Sequence, residues 1–311
     1  MQAFQFFLEV LIGGLLSGVL YALVALGFVL IFKASGVFNF AQGGMVFFAA
    51  LTFVGCLEKL PGWTGLPAES ALLFWVALAM ALVSMVLLGV ATEKFVLRPL
   101  VNQPHITLFM ATIGLAFLIE GLAQGVWGAN VRGLDLGIQD EPIAWIMDHA
   151  NIGISKFDLF AAGIAALLVT VLALLFQYTR IGRALRAVAD DHQAALSIGI
   201  PLQNIWRIVW AVAGFVALVS GLIWGARNGV QFALTFTALK ALPVLILGGF
   251  ESVPGAIVGG LIIGASEKLA EVYIGPWVGG GIESWFPYML ALLFLLVRPE
   301  GLFGEKHIDR V

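Results

Sequence analysis

Long apolar runs separated by short polar breaks organise this chain. Nine stand out, at about residues 10–32, 37–57, 71–92, 106–126, 157–178, 206–226, 232–250, 253–270 and 285–297. Most approach the roughly 20 apolar residues that a helix needs to cross hydrocarbon. Stretches such as LLVTVLALLF do not alternate polar and apolar positions, as a membrane β-barrel strand would over about ten residues. Lipid offers no partner to backbone N–H and C=O groups, so helices are expected. The pattern predicts an all-α polytopic membrane protein with about 8–9 transmembrane or re-entrant helices. The last run is short, with apolar residues upstream available to extend it.

Composition narrows the picture. The chain is 61% hydrophobic and 11% charged, against about 45–50% and about 25% in soluble domains. So little charge cannot coat a soluble globule of 311 residues, and no room remains for a soluble catalytic domain. A single domain over 1–311 is expected. The net charge of -3 gives no basic surface for nucleic acid. One cysteine, Cys56, excludes an intrachain disulfide, a Cys-rich zinc site and an iron–sulfur cluster. Four scattered histidines show no ligand spacing, so no metal site is expected. No basic segment precedes the first apolar run, which argues against a cleavable signal peptide.

Lys and Arg positions set an orientation. Lys33, Lys94, Arg98, Arg180, Arg183, Arg186, Arg207, Arg298, Lys306 and Arg310 fall on one side of the membrane, ten in all. The other side holds five: Lys59, Arg132, Lys156, Arg227 and Lys268. Lys240 lies within an apolar run. The richer side is expected in the cytoplasm, with the N-terminus outside and the C-terminus inside. Nine crossings satisfy this parity, and so do seven with a re-entrant pair at 232–270. The longest outer loop is about 127–156, acidic, with Trp127 and Trp145 as candidate interfacial anchors. Its acidic side chains suit either a basic partner or plain solvation.

Several runs are too polar or too broken for simple anchors. In VFNFAQGG, Asn39 and Gln42 are three apart and would share a helix face, while Gly43 and Gly44 weaken the helix. Such a segment either lines a solute pathway or is a bent helix packed through small residues. LGGFESVPGAIVGGLIIG places Gly248 and Gly249 at a polar turn and carries two GxxxG spacings, Gly255/Gly259 and Gly260/Gly264. Tight helix packing accounts for most of these glycines, with the LGGF turn a further pathway candidate. Glu120 and Gln124 fall on one face of the fourth run, facing a pathway or snorkelling to the outer surface. Lys240 either faces a pathway or, the favoured reading, pairs with a buried carboxylate or carbonyl or sits at a re-entrant position nearer the interface. Glu9 and Glu267 are read as interfacial.

The loop at about 179–206 is the informative one. Arg180, Arg183 and Arg186 have helical spacing, where anionic headgroups would attract them. In AVADDHQAALSIGI, Asp190 or Asp191 would cap a short helix. Ala194, Ala195 and Ile198 form a small apolar face, and Gly199 and Pro201 end the helix. A loop that only joined two spans would need a few residues. This one reads as a docking helix for a cytoplasmic partner.

These segments resemble a known family in combination. The motif R-A-V-A-D-D-x-x-A-A-x-x-x-G-I resembles the coupling loop of ABC importer permeases. With LKALPVLILGGFESVPGAIVGGLIIGASE, the Gly14–Gly27 stretch, VFNFAQGG and the ending RPEGLFG, the chain resembles the branched-chain amino-acid ABC transporter permease family over nearly its whole length. Gln42 stands where many relatives carry histidine. The resemblance implies a permease subunit of an ATP-driven importer in the bacterial cytoplasmic membrane, working by alternating access. Its solute would be a branched-chain or hydrophobic amino acid, or another small organic solute such as urea, an amide or an organic acid. The implied partners are a second homologous permease, two cytoplasmic ATPase subunits and an outer solute-binding protein. ATPase docking falls to Asp190, Asp191, Gln193, Ala194, Ala195, Ile198, Gly199 and Pro201. The substrate pathway falls to Asn39, Gln42, Gly43, Gly44, Glu120, Gln124, Gly248 and Gly249. The chain has no phosphate loop G-x-x-x-x-G-K-[ST], so ATP–Mg would be bound by the partner subunits and no cofactor or catalytic residue is expected here. The rival is an ion-coupled secondary transporter, which would need no ATPase.

Overall fold

The computed structural model describes residues 2–65, 67, 70–100, 103–190, 195, 197 and 199–304. Its elements are helical: α1 Gln2–Ser35, α2 Gln42–Thr64, α3 Ala71–Thr92, α4 His105–Trp127, α5 Ala144–Ala150, α6 Lys156–Tyr178, α7 Arg180–Asp190, α8 Leu202–Asn228, α9 Leu234–Thr237, α10 Ala241–Gly248, α11 Val253–Tyr273, α12 Gly275–Val278 and α13 Phe286–Val297, with short 3-10 and π-helical turns between some of them. Among the described residues no strand forms, only two isolated bridges, Arg132 with Val230 and Pro142 with Ser155.

Among the described residues seven helices are long and apolar enough to cross a membrane: α1, α2, α3 with its extension to Leu100, α4, α6, α8 and α11. Leu234–Gly248 and Phe286–Val297 are shorter apolar helices. This revises the expected spans in three places. The run at 37–57 is helical only from Gln42, because residues 37–40 leave the helix. The supposed re-entrant pair at 232–270 is unequal: Val253–Tyr273 is full length, whereas its predecessor is broken at Ala238–Lys240 by a 3-10 turn. The last run gains only a 3-10 turn upstream, Ile282–Ser284, since Gly279, Gly280 and Gly281 all adopt positive φ between α12 and that turn.

Two compact units divide the chain. One comprises residues up to Val29, Gly137–Ala173 and those from Lys240 onward; the other comprises Leu30–Leu136 and Leu174–Leu239. In the first, α11 runs antiparallel to α1. A Cβ on Gly14 would lie 2.7 Å from the Gly264 carbonyl oxygen, and one on Gly18 would lie 2.5 Å from that of Gly260. Glycine is needed at these positions for backbone contact, so this GxxxG serves packing. The turn after α10 is fixed by three features. Gly249 has φ +104°, the Ser252 hydroxyl caps α11 by accepting from Gly255 N at 3.0 Å, and residues 302–303 pack alongside. There Leu302 N donates to Leu247 O at 2.8 Å and Phe303 N to Gly248 O at 3.1 Å. Gly248 and Gly249 are therefore held between α11 and the residues that follow α13.

The second unit is built around α2. Its first turns and middle are buried almost completely, enclosed by α3, α4, α8 and α9. The buried stripe of α3 is Leu73, Ala77, Ala81, Met85, Gly89 and Thr92. That four-residue rhythm is marked by small residues rather than by hydrophobicity, because lipid tails are as apolar as a core.

Candidate solute pathway and docking segment

The interior of the second unit brings several predicted polar residues together. The helices α2 and α4 run parallel, and the first turn of α2 is level with the middle of α4. A Cβ on Gly44 would sit 3.1 Å from the Ala116 carbonyl oxygen and 3.5 Å from Glu120 Cγ. The chain therefore covers the distance from the end of α1 to this level without regular helix. Backbone at such depth must find partners inside the protein. Thr112 of α4 supplies them: its hydroxyl accepts from Phe40 N at 3.2 Å and lies 3.1 Å from Phe38 O and 2.8 Å from Phe109 O. No sequence signal had singled out Thr112, since a threonine in a spanning helix ordinarily bonds its own helix.

Asn39 lies outside the α2 helix, so the two amides meet through a turn and not across a helix face. Asn39 Oδ1 accepts from Ala41 N at 3.1 Å, and Nδ2 donates to Gln42 Oε1 at 3.3 Å. Both side chains are wholly buried, and Gln42 Nε2 has no partner within the described residues. Gly43 and Gly44 are helical and do not break α2. Gly43 is instead the point where α9 comes closest: any Cβ there would collide with the Thr235 carbonyl. The Thr235 hydroxyl is itself buried without a hydrogen bond of normal geometry, and the Glu120 carboxyl is near enough to interact with it. Glu120 is 6% exposed, so it packs inside the unit and does not snorkel. Gln124 is half-buried one turn further along the same face. A separate cavity of about 340 Å³ is lined by Asn228, Gln231, Ala233, Leu234 and Thr237.

In the first unit Lys240 pairs with Glu267. The ammonium lies 3.0 Å from Glu267 Oε1, which also accepts from the Tyr21 hydroxyl at 3.2 Å. Glu267 is 2% exposed. It is a buried counter-ion, not the interfacial residue expected, because the broken helix delivers Lys240 beside it.

The loop after α6 is ordered by its arginines. Arg186 donates to Phe176 O at 2.7 Å and to Gln177 O at 3.2 Å, and Arg183 to Tyr178 O at 3.4 Å. These guanidinium groups cap the free carbonyls at the end of α6, a favourable position for cations. That occupies two side chains assigned to lipid headgroups. Asp190 is the last residue of α7. Its side chain, and Asp191, Gln193, Ala194 and Ile198 altogether, lie outside the described residues. Ala195 and Ser197 are helical. Ile200 N donates to Ala195 O at 3.0 Å and Gly199 has φ +83°, the six-to-one closure by which a glycine ends a helix. Ala195 is 1% exposed, while Ser197, Gly199 and Pro201 are exposed. Ala195 thus packs within this chain, and a partner would meet the exposed three. Among the described residues no group of three or more His, Cys, Asp or Glu could hold a metal ion.

Many apolar spanning helices around a buried, irregular, amide-bearing segment define a polytopic membrane protein of transport type. Residues 10–298 match the family described as branched-chain amino acid transport system / permease component, and the chain belongs to that family. It is similar to the high-affinity branched-chain amino acid transport system permease protein LivH of Escherichia coli K12, at 26% identity over 100% of this chain and 99% of that one. It is equally similar to BraD of Pseudomonas aeruginosa PAO1, at 26% identity over 98% of both chains. A fructose import permease protein, FruF of Bifidobacterium longum, is 25% identical over 80% of this chain and 66% of its own length.

Proposed function

We propose that the chain is the transmembrane permease subunit of an ATP-driven ABC importer that moves a branched-chain or related hydrophobic amino acid inward by alternating access. The observation that carries this reading is family membership over residues 10–298, joined to likeness with LivH and BraD along nearly the whole chain. The N-terminus lies outside and the C-terminus in the cytoplasm of a bacterial cytoplasmic membrane, the orientation favoured by the ten-to-five Lys and Arg bias. Two permease chains, identical or homologous, enclose the path. Two ATPase subunits, which hold ATP–Mg, seat the loop around Asp190–Pro201, and a solute-binding protein delivers the solute from outside.

Within the chain, Asn39, Gln42, Glu120, Gln124 and Thr235 supply the polar contacts of the path. Support comes from Gln42 Nε2, buried without a partner among the described residues, and from the Thr235 hydroxyl, which has only the Glu120 carboxyl nearby and no hydrogen bond of normal geometry; incomplete pairing of such buried groups is costly. A passing zwitterion offers carboxylate and ammonium partners to them. Gly43 and Gly44 let the neighbouring backbones close on this path, and Gly248 and Gly249 set the turn behind α10.

Proteoliposomes holding this chain with the permease, ATPases and binding protein encoded beside it test the reading. ATP-dependent uptake of leucine, delivered by the binding protein and unaffected by ionophores, is the expected result. Uptake that follows an ion gradient without ATP would overturn it. Ser197→Trp, at an exposed position of the loop, should release the ATPases.

A further inference from the structure

We propose that Trp206 and Arg207, on the first turns of α8, are the positioning residues through which movement of the docking loop reaches the Asn39–Gln42 segment. This rests on the docking reading above.

The helix α8 begins at Leu202, directly after Pro201, so whatever shifts the loop shifts its first turns. The Trp206 side chain is 4% exposed, and its Nε1 donates to the Ala34 carbonyl at 2.9 Å. Ala34 is in the last turn of α1, where carbonyls have no helical partner. Four residues separate it from Asn39. The intervening chain is held by Ser35, whose hydroxyl bonds Ile31 O at 2.7 Å and accepts from Val37 N at 3.4 Å. A displacement of Trp206 is therefore delivered to the base of the irregular segment.

Arg207 fixes the other side of the same turn. Its Nε lies 3.1 Å from Oε2 of Glu93, which is wholly buried. Glu93 opens the π-helical turn Glu93–Leu97 that follows α3, a wide turn that often accompanies functional sites. One turn further in, a Cβ on Gly89 would lie 3.0 Å from the Trp210 carbonyl carbon, and one on Gly214 would lie 3.2 Å from Met85 O. The backbones of α3 and α8 are in contact there and move together. Glu93 already holds Arg98 in a two-oxygen pair, at 2.8 Å and 3.0 Å. Burial of Glu93 does not require Arg207. Its pair has another use: it binds the exit of the docking loop to α3, so that loop movement turns the α3–α8 pair and not a single frayed turn. The element that responds is residues 36–41, held by side-chain hydrogen bonds that exchange more readily than a helical ladder.

The test uses the complete importer in proteoliposomes and reads solute moved per ATP hydrolysed. Arg207→Gln and Trp206→Phe, which keep the side-chain bulk, should retain their ATPases. Each should lower solute per ATP by about tenfold, within the range by which such intermediary residues alter coupling. Arg207→Lys, which keeps a cation for Glu93, should recover most of the loss. Wild-type solute per ATP in both variants overturns the linkage, and so does loss of the ATPases from either, since the residues would then merely hold the loop's fold. ATPases that remain bound to the Ser197→Trp chain would instead overturn the docking reading, whatever the linkage variants do.

Discussion

The Lys240 ammonium lies 3.0 Å from a carboxylate oxygen of Glu267, whose side chain is almost completely buried. The pair joins the 3-10 break before α10 to the second turn from the end of α11 inside one unit. Removing one partner strands the other charge in a low-dielectric interior. Lys240→Met should therefore destabilise the protein by about 3 kcal/mol, the lower end for a broken buried pair because Lys240 is partly exposed. Thermal unfolding in detergent measures this. The double variant Lys240→Met/Glu267→Gln should recover most of the loss, and a double variant no better than the single would refute the pairing.

Gly43 is where α2 and α9 touch. Gly43→Ala should cost about 1–3 kcal/mol, as overpacking does, and should depress transport. Gly114→Ala is the control, since a Cβ there meets nothing within 4 Å. Equal stability of the two variants would show that the close approach is unimportant.

Thr112 supports the irregular segment through one hydroxyl. Thr112→Val keeps the shape and leaves the part-buried Phe40 N without its acceptor, a loss of about 1 kcal/mol. Thr112→Ser should restore the bond. Uptake by the valine variant should fall with its stability, and by the serine variant it should not.

Gln42 and Asn39 separate pathway from packing. Replacing both with Leu should abolish transport while the chain still inserts, because Leu is favourable in lipid. Full uptake by the double variant would return the amides to a purely structural role.

Orientation is open to labelling. In a Cys56→Ala background, Glu251→Cys in the exposed turn should react with an impermeant maleimide only after the cytoplasmic side is opened. Trp145→Cys, on a side chain 70% exposed, should react in intact cells. The reverse pattern would invert the topology.

That the chain is built from long apolar helices was legible in the sequence, because a bilayer leaves the backbone no alternative to helix; their number and exact extents were not. The family was legible as well, because its motifs recur in order from Gly14 to Gly304. The helix end at Gly199 could be read locally, since a residue with φ +83° has a clear preference for glycine. Which face of each helix turns inward was not legible, because Leu or Val is equally at home in lipid and in protein. Only small residues such as Ala77, Ala81 and Gly89 betray the inner stripe of α3. The helix break was placed at Gly43–Gly44, yet the irregular backbone precedes Gln42. A non-helical segment at that depth needs partners, and they come from Thr112, more than seventy residues away. Glu267 and Glu93 were likewise beyond local reading. What a buried carboxylate does depends on which cation the tertiary fold brings to it: Lys240 for Glu267, and Arg98 with Arg207 for Glu93.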